Sequence, residues 1–315
     1  MDQFGLGWNH YNGDWICDIH IKSNPKAKTT HGMTRRIIIW GLGKVGRALY
    51  EGFINSSVGV DFLILRESSK EKIDELMRVS DEIPANTGRL SLSAESCKSI
   101  WSSEEVVASP HNFFVSGDVV FAPVVDREIN HIFKRCDLTG ITLIHCSGAT
   151  PIIAVNHAHS GVFYPLQSFL GKGEEVWDRI PVFIEGSNDG VNEILKEIAL
   201  KLGVLSIEKL NSDQRAYLHL AGVFANNYTM AMAGIAKDLL TVNGLNPNWV
   251  LPILTKTAEN LGQGMPWELM TGPASRADLT TIEYHRSMLE NQPEMLAAYN
   301  AMAQYIINRP KDSLE

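Results

Sequence analysis

The sequence predicts an α/β chain: a doubly wound, mostly parallel sheet with extra strands, followed by an all-α domain. Three observations carry this expectation. Short apolar runs alternate with helix-period segments as far as about residue 210. One early run, in "RRIIIWGLGKVGRALYEGF" (35–53), passes through closely spaced glycines into an amphipathic segment. From Ser212 onward only the helical period is found.

The chain starts with "MDQFGLGWNHYNGDWICDIHIKSNPKAKTTHG", which lacks the apolar stretch of a signal peptide. Met33 directly precedes the first strand, so residues 1–32 are expected to lie outside the fold, as an upstream-start product or a loosely attached extension. Trp8, Tyr11, Trp15, Ile16 and Ile19 leave a docked hairpin as the alternative.

Ile37 to Trp40 is wholly apolar, the mark of a strand buried on both faces of a parallel sheet. Gly41, Gly43 and Gly46 follow as G-x-G-x-x-G, interleaved with Leu42, Lys44 and Val45. Val45, Leu49 and Phe53 then recur on one helix face. One glycine allows the tight turn, one lets a pyrophosphate approach the backbone, and one lets helix and strand lie close. The phosphates would meet free N–H groups at the positive end of the helix. The strand "VGVDFLIL" (58–65) completes the unit, which supplies the context the motif needs. The expectation is a Rossmann-type dinucleotide site. A glycine turn in another doubly wound fold, such as a methyltransferase, is the competing reading.

An NAD site wants an acid at the tip of the second strand. Asp61 has about the right count but lies inside the strand, at its wrong end. After the strand come Arg66, Glu67, Ser68, Ser69 and Lys70. A guanidinium, two hydroxyls and an ammonium suit a 2′-phosphate, which favours NADP, whereas Glu67 would serve NAD.

Further strands are read at 118–125, 141–150, 161–166, 180–186 and 203–210, with helices at "REINHIFKRC" and 191–202. The all-α part starts where Ser212 or Asn211 caps a run that reaches Thr241 and stops at Gly244. Such a helix is about 45 Å long. It is apolar around most of its circumference, which predicts burial on several sides, in a homodimer formed through the C-terminal helices or in an intramolecular bundle. Helices are also expected near 247–260, 277–290 and 294–307. The resulting domains are 1–32 as extension, 33–210 as dinucleotide-binding domain, and 211–315 as helical substrate and dimerisation domain.

Composition narrows the function. A chain of 315 residues with 44% hydrophobic side chains can hold two domains. Its formal charge of −8, without a basic block, makes nucleic acid and anionic membranes poor partners. Cys17, Cys97, Cys136 and Cys146 show neither metal-ligand nor redox spacing, so a cytoplasmic protein without a metal is expected. The window 216–236 carries no charged residue, but His219, Asn226, Asn227 and Thr229 argue against a membrane span.

Ligands of such sheets bind beyond the carboxyl ends of the strands. Those ends hold Pro123 and Val124, ahead of Asp126, and His145, Cys146, Ser147 and Gly148. Pro123, Val124, Ser147 and Gly148 are assigned to the cofactor. His145 reads as a packed core histidine and Cys146 as a buried, inert thiol. In the long helix His219 and Asn226 are seven apart and share a face, with Asn227 beside them. They either serve as structural hydrogen bonders or look toward the nicotinamide. Near "LMTGPASRADLTTIEYHRSML" (269–289), Arg276 beside a helix start makes an anion site, and Asp278 is a first-turn acid or holds that turn.

"HCSGAT", "YPLQSF", "AYLHLAGVFANNYTMAM" and "MTGPASRADLTTIEYH" stand in an order that resembles a family of Rossmann-like proteins with a helical C-terminal domain of unassigned function. The family is described as NADP oxidoreductases, and its architecture is similar to pyrroline-5-carboxylate reductase and the phosphogluconate dehydrogenase superfamily. The resemblance covers about residues 34–309 and implies the fold and NADP, but no substrate. Tyr164 stands where many members have His, and Ala277 where the motif has Gly.

The function expected is NADP-dependent hydride transfer to or from a small imine or carbonyl compound, a carboxylate-bearing one being an option. His219 is the first candidate acid, since an imidazole titrates near neutrality. Asn227 would orient the substrate, Arg276 would hold its carboxylate, and Asp278 would hold the arginine or the turn. A non-catalytic NADP-binding redox sensor is the alternative.

Overall fold

The protein is described by a computed structural model covering residues 7–11, 14–18, 35–56, 58–65, 97–135, 140–152, 158–171, 175–262 and 266–309. It divides into two compact units, Met1–His219 and Leu220–Glu315.

In the first unit, β1 (Gly7–Tyr11) and β2 (Asp14–Asp18) pair as an antiparallel hairpin, a sheet of their own. Among the described residues, the main sheet holds eight strands: β3 (Ile37–Trp40), β4 (Val60–Leu65), β5 (Cys97–Ser102), β6 (Val119–Ala122), β7 (Thr142–His145), β8 (Ser160–Pro165), β9 (Val182–Gly186) and β10 (Ile207–Lys209). Their order is β10-β9-β8-β7-β6-β3-β4-β5. The pairs among β3 to β8 are all parallel, and β9 runs antiparallel to β8. Numbered from β3, those six strands have the order 3-2-1-4-5-6 of doubly wound dinucleotide folds, with a crevice between β3 and β6 where the winding reverses. Strand β5 is absent from the sequence reading. "CKSIWS" has no apolar run because it is an edge strand.

Both faces of β3 are buried. Ile37 and Ile39 face one core with helices Lys44–Ile54 and Asp189–Lys201, whereas Ile38 and Trp40 face another with Val106, Ile129 and Phe133. Phe121 is packed edge-on between Phe53 and Phe163, with ring centroids 5.1 and 5.7 Å away. Each such pair adds about 0.5–1.5 kcal/mol beyond the area it buries.

The predicted long helix forms, but not as one regular α-helix. Ser212–Gly222 is α-helical, Val223–Tyr228 is a π-helical segment, and Thr229–Val242 is α-helical again. Asn211, not Ser212, caps it: its side chain accepts from Gln214 N–H at 2.9 Å, and Gln214 accepts from Asn211 N–H at 3.0 Å. The far end closes with Gly244 N–H on Thr241 and Leu245 N–H on Leu240. The π segment breaks the α-helical spacing that put His219 and Asn226 on one face.

The second unit continues with Leu251–Leu261, Pro266–Leu269, Leu279–Met288 and Pro293–Asn308. No residue of Thr229–Val242 is buried in the single chain. Phe224, Met230, Trp249, Ile253 and Leu279 are all at least 60% exposed. Among the described residues, the burial expected for this helix is not found. Among the described residues, no helix is long and apolar enough to cross a membrane.

Candidate functional site at the carboxyl ends of the strands

The three glycines divide the work as the motif requires. Gly41 turns the chain at φ +108°, and its N–H bonds the Ile64 carbonyl at 2.9 Å. A β-carbon at Gly46 would stand 2.1 Å from the Gly41 carbonyl oxygen, so only glycine lets the helix lie this close. A β-carbon at Gly43 would meet nothing within 4 Å. Gly43 is also the N-cap of helix Lys44–Ile54, and among the described residues no side chain caps that end. Open space beside uncapped N–H groups suits a pyrophosphate. The residues present thus fit a dinucleotide.

Leu42 and Val45 pack their side chains on the core, so their offer to a ligand is backbone N–H, while Lys44 is exposed. Pro123 and Val124 face Gly41 from the end of β6. Asp61 does not reach this edge: its carboxylate accepts from Ile37 N–H at 2.9 Å, at the opening of β3. Arg66, Ser68, Ser69 and Lys70 lie outside the described residues.

At the end of β7, the Ser147 hydroxyl accepts from the N–H groups of Ala149 and Thr150 at 3.1 and 2.9 Å, which shapes the turn. His145 is fully buried, and its Nδ1 accepts from Ser147 N–H at 3.2 Å. Burial, followed by the charge of Arg215, lowers its pKa to about 3, so it is a neutral core histidine. Burial raises the Cys146 thiol well above its ordinary value, so it is a poor nucleophile.

His219 joins this edge. Its ring packs on Gly148, where a β-carbon would stand 2.6 Å from Nδ1. Nδ1 is 3.1 Å from the phenol oxygen of Tyr164, the residue near the end of β8. Both side chains are half-buried. Burial pushes the Tyr164 phenol above its ordinary pKa, and the charge of Arg215 offsets part of that rise. The phenol is therefore protonated at neutral pH.

Arg215, one turn before His219, is 1% exposed. It is paired with Glu185 and donates to the Thr150 carbonyl at 2.6 Å. Ser212 donates to the same carboxylate at 3.0 Å and accepts from Ile152 N–H at 3.0 Å. The sequence reading missed this cluster. Its available signal was a lone arginine at the start of a mostly apolar helix.

The remaining candidates belong to the second unit. Asn227 is exposed and lies in the π-helical segment, a feature frequent at functional sites. Arg276 is exposed. Asp278 is the N-cap of helix Leu279–Met288, accepting from Thr281 N–H at 3.1 Å and from its hydroxyl at 2.7 Å. These two bonds, with smaller help from Arg276 and His285, lower its pKa. Ala277 between them has φ +52°, which explains the glycine in the motif it resembles. The turn Thr271–Ser275 borders an apolar cavity of about 330 Å³, also lined by Met232, Met270 and Tyr299.

Comparison with known proteins bears on the fold. BF3122 from Bacteroides fragilis, to which NADP oxidoreductase activity is ascribed, is 25% identical, with a TM-score of 0.71 over 87% of this chain and 98% of that one. The chain shares its fold with NADP oxidoreductases. TM1727 from Thermotoga maritima is 22% identical, with a TM-score of 0.61 over 86% of this chain and 96% of that one. The imine reductase from Myxococcus stipitatus, solved with NADP+, is 12% identical, with a TM-score of 0.57 over 86% of this chain and 92% of that one. Residues 180–306 match the family model described as Domain of unknown function (DUF2520). No curated protein matches the chain.

Proposed function

We infer that this protein is an NADP-dependent oxidoreductase acting on a small imine or carbonyl compound that carries a carboxylate. The observation that carries the reading is the Gly41–Gly43–Gly46 turn at the reversal point of the sheet, with an open, uncapped helix end beside it. Leu42, Lys44 and Val45 offer backbone N–H groups to the pyrophosphate. Pro123, Val124, Ser147 and Gly148 border the nicotinamide half. Arg66, Ser68, Ser69 and Lys70 have the chemistry for the 2′-phosphate. When bound, the dinucleotide supplies or takes up the hydride.

His219, at the strand ends of the first unit, has the chemistry to serve the proton side of the reaction. In the helical unit, Asn227 has the chemistry to orient a polar substrate. Arg276 has the chemistry to hold its carboxylate, with Asp278 fixing the turn. The apolar side chains exposed on that unit support a homodimer through the C-terminal helices.

The experiment is a fluorescence titration with NADPH and NADH, followed by NADPH oxidation against a panel of small imino and keto acids. NADPH should bind more tightly than NADH, and Arg66→Glu should erase that preference by about tenfold or more, since it removes one partner of the 2′-phosphate and adds repulsion. A protein that binds NADPH but oxidises it with no panel compound would support the redox-sensing reading instead.

A further inference from the structure

We propose that Tyr164 and His219 act as one proton-delivering pair, with the phenol as the group that touches the substrate and the imidazole as the group that recharges it. This rests on the oxidoreductase reading above and assigns its proton side. The geometry has four parts. The two side chains are 3.1 Å apart, with rings edge-to-face at 6.0 Å. They stand at the carboxyl edge of the parallel strands, where ligands of this topology bind. Both are half-buried, so each keeps an open side. Position 148 lacks a β-carbon at the spot where the imidazole ring lies.

The surrounding charges suit that role. Arg215 is on the same helix as His219, buried and held by Glu185 of β9 and by the Thr150 carbonyl, so it cannot swing away. Its fixed positive charge stabilises a transient phenolate at Tyr164. His145, at the end of β7, is neutral and adds no charge of its own. Nδ1 of the imidazole is engaged by the phenol, so this nitrogen reaches a substrate only through Tyr164.

In the reductive direction the heteroatom of the C=N or C=O bond gains a proton as its carbon gains hydride from the nicotinamide. The Tyr164 O–H bond breaks as the new N–H or O–H bond forms. His219, in its Nδ1–H tautomer, passes that proton to the phenolate oxygen while Nε2 takes one from water. The imidazole stays neutral overall, and the net proton comes from solvent. A bound nicotinamide would supply the two electrons that the C=X bond takes up, and no other group changes oxidation state.

The test uses the full chain and the variants Tyr164→Phe and His219→Ala. With NADPH and the best substrate of the panel, Tyr164→Phe should lose about 100-fold or more in turnover, the usual size of a general-acid effect. Its NADPH affinity should stay within about twofold of wild type. His219→Ala should lose turnover too, and added imidazole should restore part of it, which a purely structural role would not allow. Without any cofactor, the ¹⁵N shift of the His219 Nδ1 should change in Tyr164→Phe. The proposal is overturned if Tyr164→Phe turns over within about threefold of wild type, if imidazole restores nothing, or if the Nδ1 shift is the same in both proteins. A wild-type protein that fails to bind or oxidise NADPH overturns the oxidoreductase reading itself, and this pair with it.

Discussion

The ring of His219 lies against the backbone of Gly148, so close that an alanine β-carbon would stand 2.6 Å from its Nδ1. Gly148→Ala should therefore push the imidazole away from Tyr164. The overpacking should cost about 1–3 kcal/mol. Chemical denaturation reads the stability, and the His219 ¹⁵N shift reads the displaced ring. An unchanged midpoint together with an unchanged shift would mean that the ring has another place to rest.

The glycine motif gives a paired prediction. Gly43→Ala should fold normally, within about 0.5 kcal/mol, because its β-carbon meets nothing. It should nevertheless weaken NADPH in a fluorescence titration, since that open space is where a pyrophosphate approaches. Gly46→Ala should lose stability as well as binding, because its β-carbon would overlap the Gly41 carbonyl. Equal melting temperatures for the two variants would contradict this division of roles.

Arg215 and Glu185 form an ion pair in which the arginine side chain is 1% exposed and the carboxylate side chain 13%. Arg215→Met leaves the carboxylate with the Ser212 hydroxyl but without its cation, and should cost about 3–5 kcal/mol. Arg215→Met combined with Glu185→Gln should recover much of that loss. The cycle is read by urea denaturation, and additive single effects would show the pair to be uncoupled.

His145 should make stability depend on pH. Its pKa is about 3 in the folded protein against an ordinary value of 6.5. Below about pH 6.5 the unfolded chain binds the proton first. The contribution is thus complete above that pH and is lost as pH falls toward 3, with a limiting slope of about 1.4 kcal/mol per pH unit. His145→Asn, which keeps an acceptor for Ser147 N–H, should flatten the curve between pH 6 and 4. Parallel curves for wild type and variant would assign the acid sensitivity elsewhere.

Ala277 holds φ +52°, a left-handed conformation that costs a residue with a β-carbon about 1–2 kcal/mol. Ala277→Gly should relieve part of that strain. The expected result is a gain of up to about 1 kcal/mol in unfolding free energy. A loss of stability would mean that the turn relaxes in solution.

The sequence by itself determined the elements that depend on neighbours along the chain. β3, its glycine turn and the helix after it were legible because strand burial, turn geometry and helix packing each demand a particular residue type within a few positions. The stop at Gly244 and the wrong placement of Asp61 for a ribose were legible for the same reason. Strand β5 was not, since an edge strand needs no apolar run. The π segment at Val223–Tyr228 was not either, because hydrophobic periodicity cannot show one shifted hydrogen-bond register. Only the tertiary structure decided that Tyr164 meets His219, 55 positions along the chain, and that Arg215 is buried against Glu185. Those contacts arise where the ends of separate strands and one helix converge. A contact of that kind is set by how the sheet is ordered and how the helix crosses it, and it leaves no periodic trace in either segment.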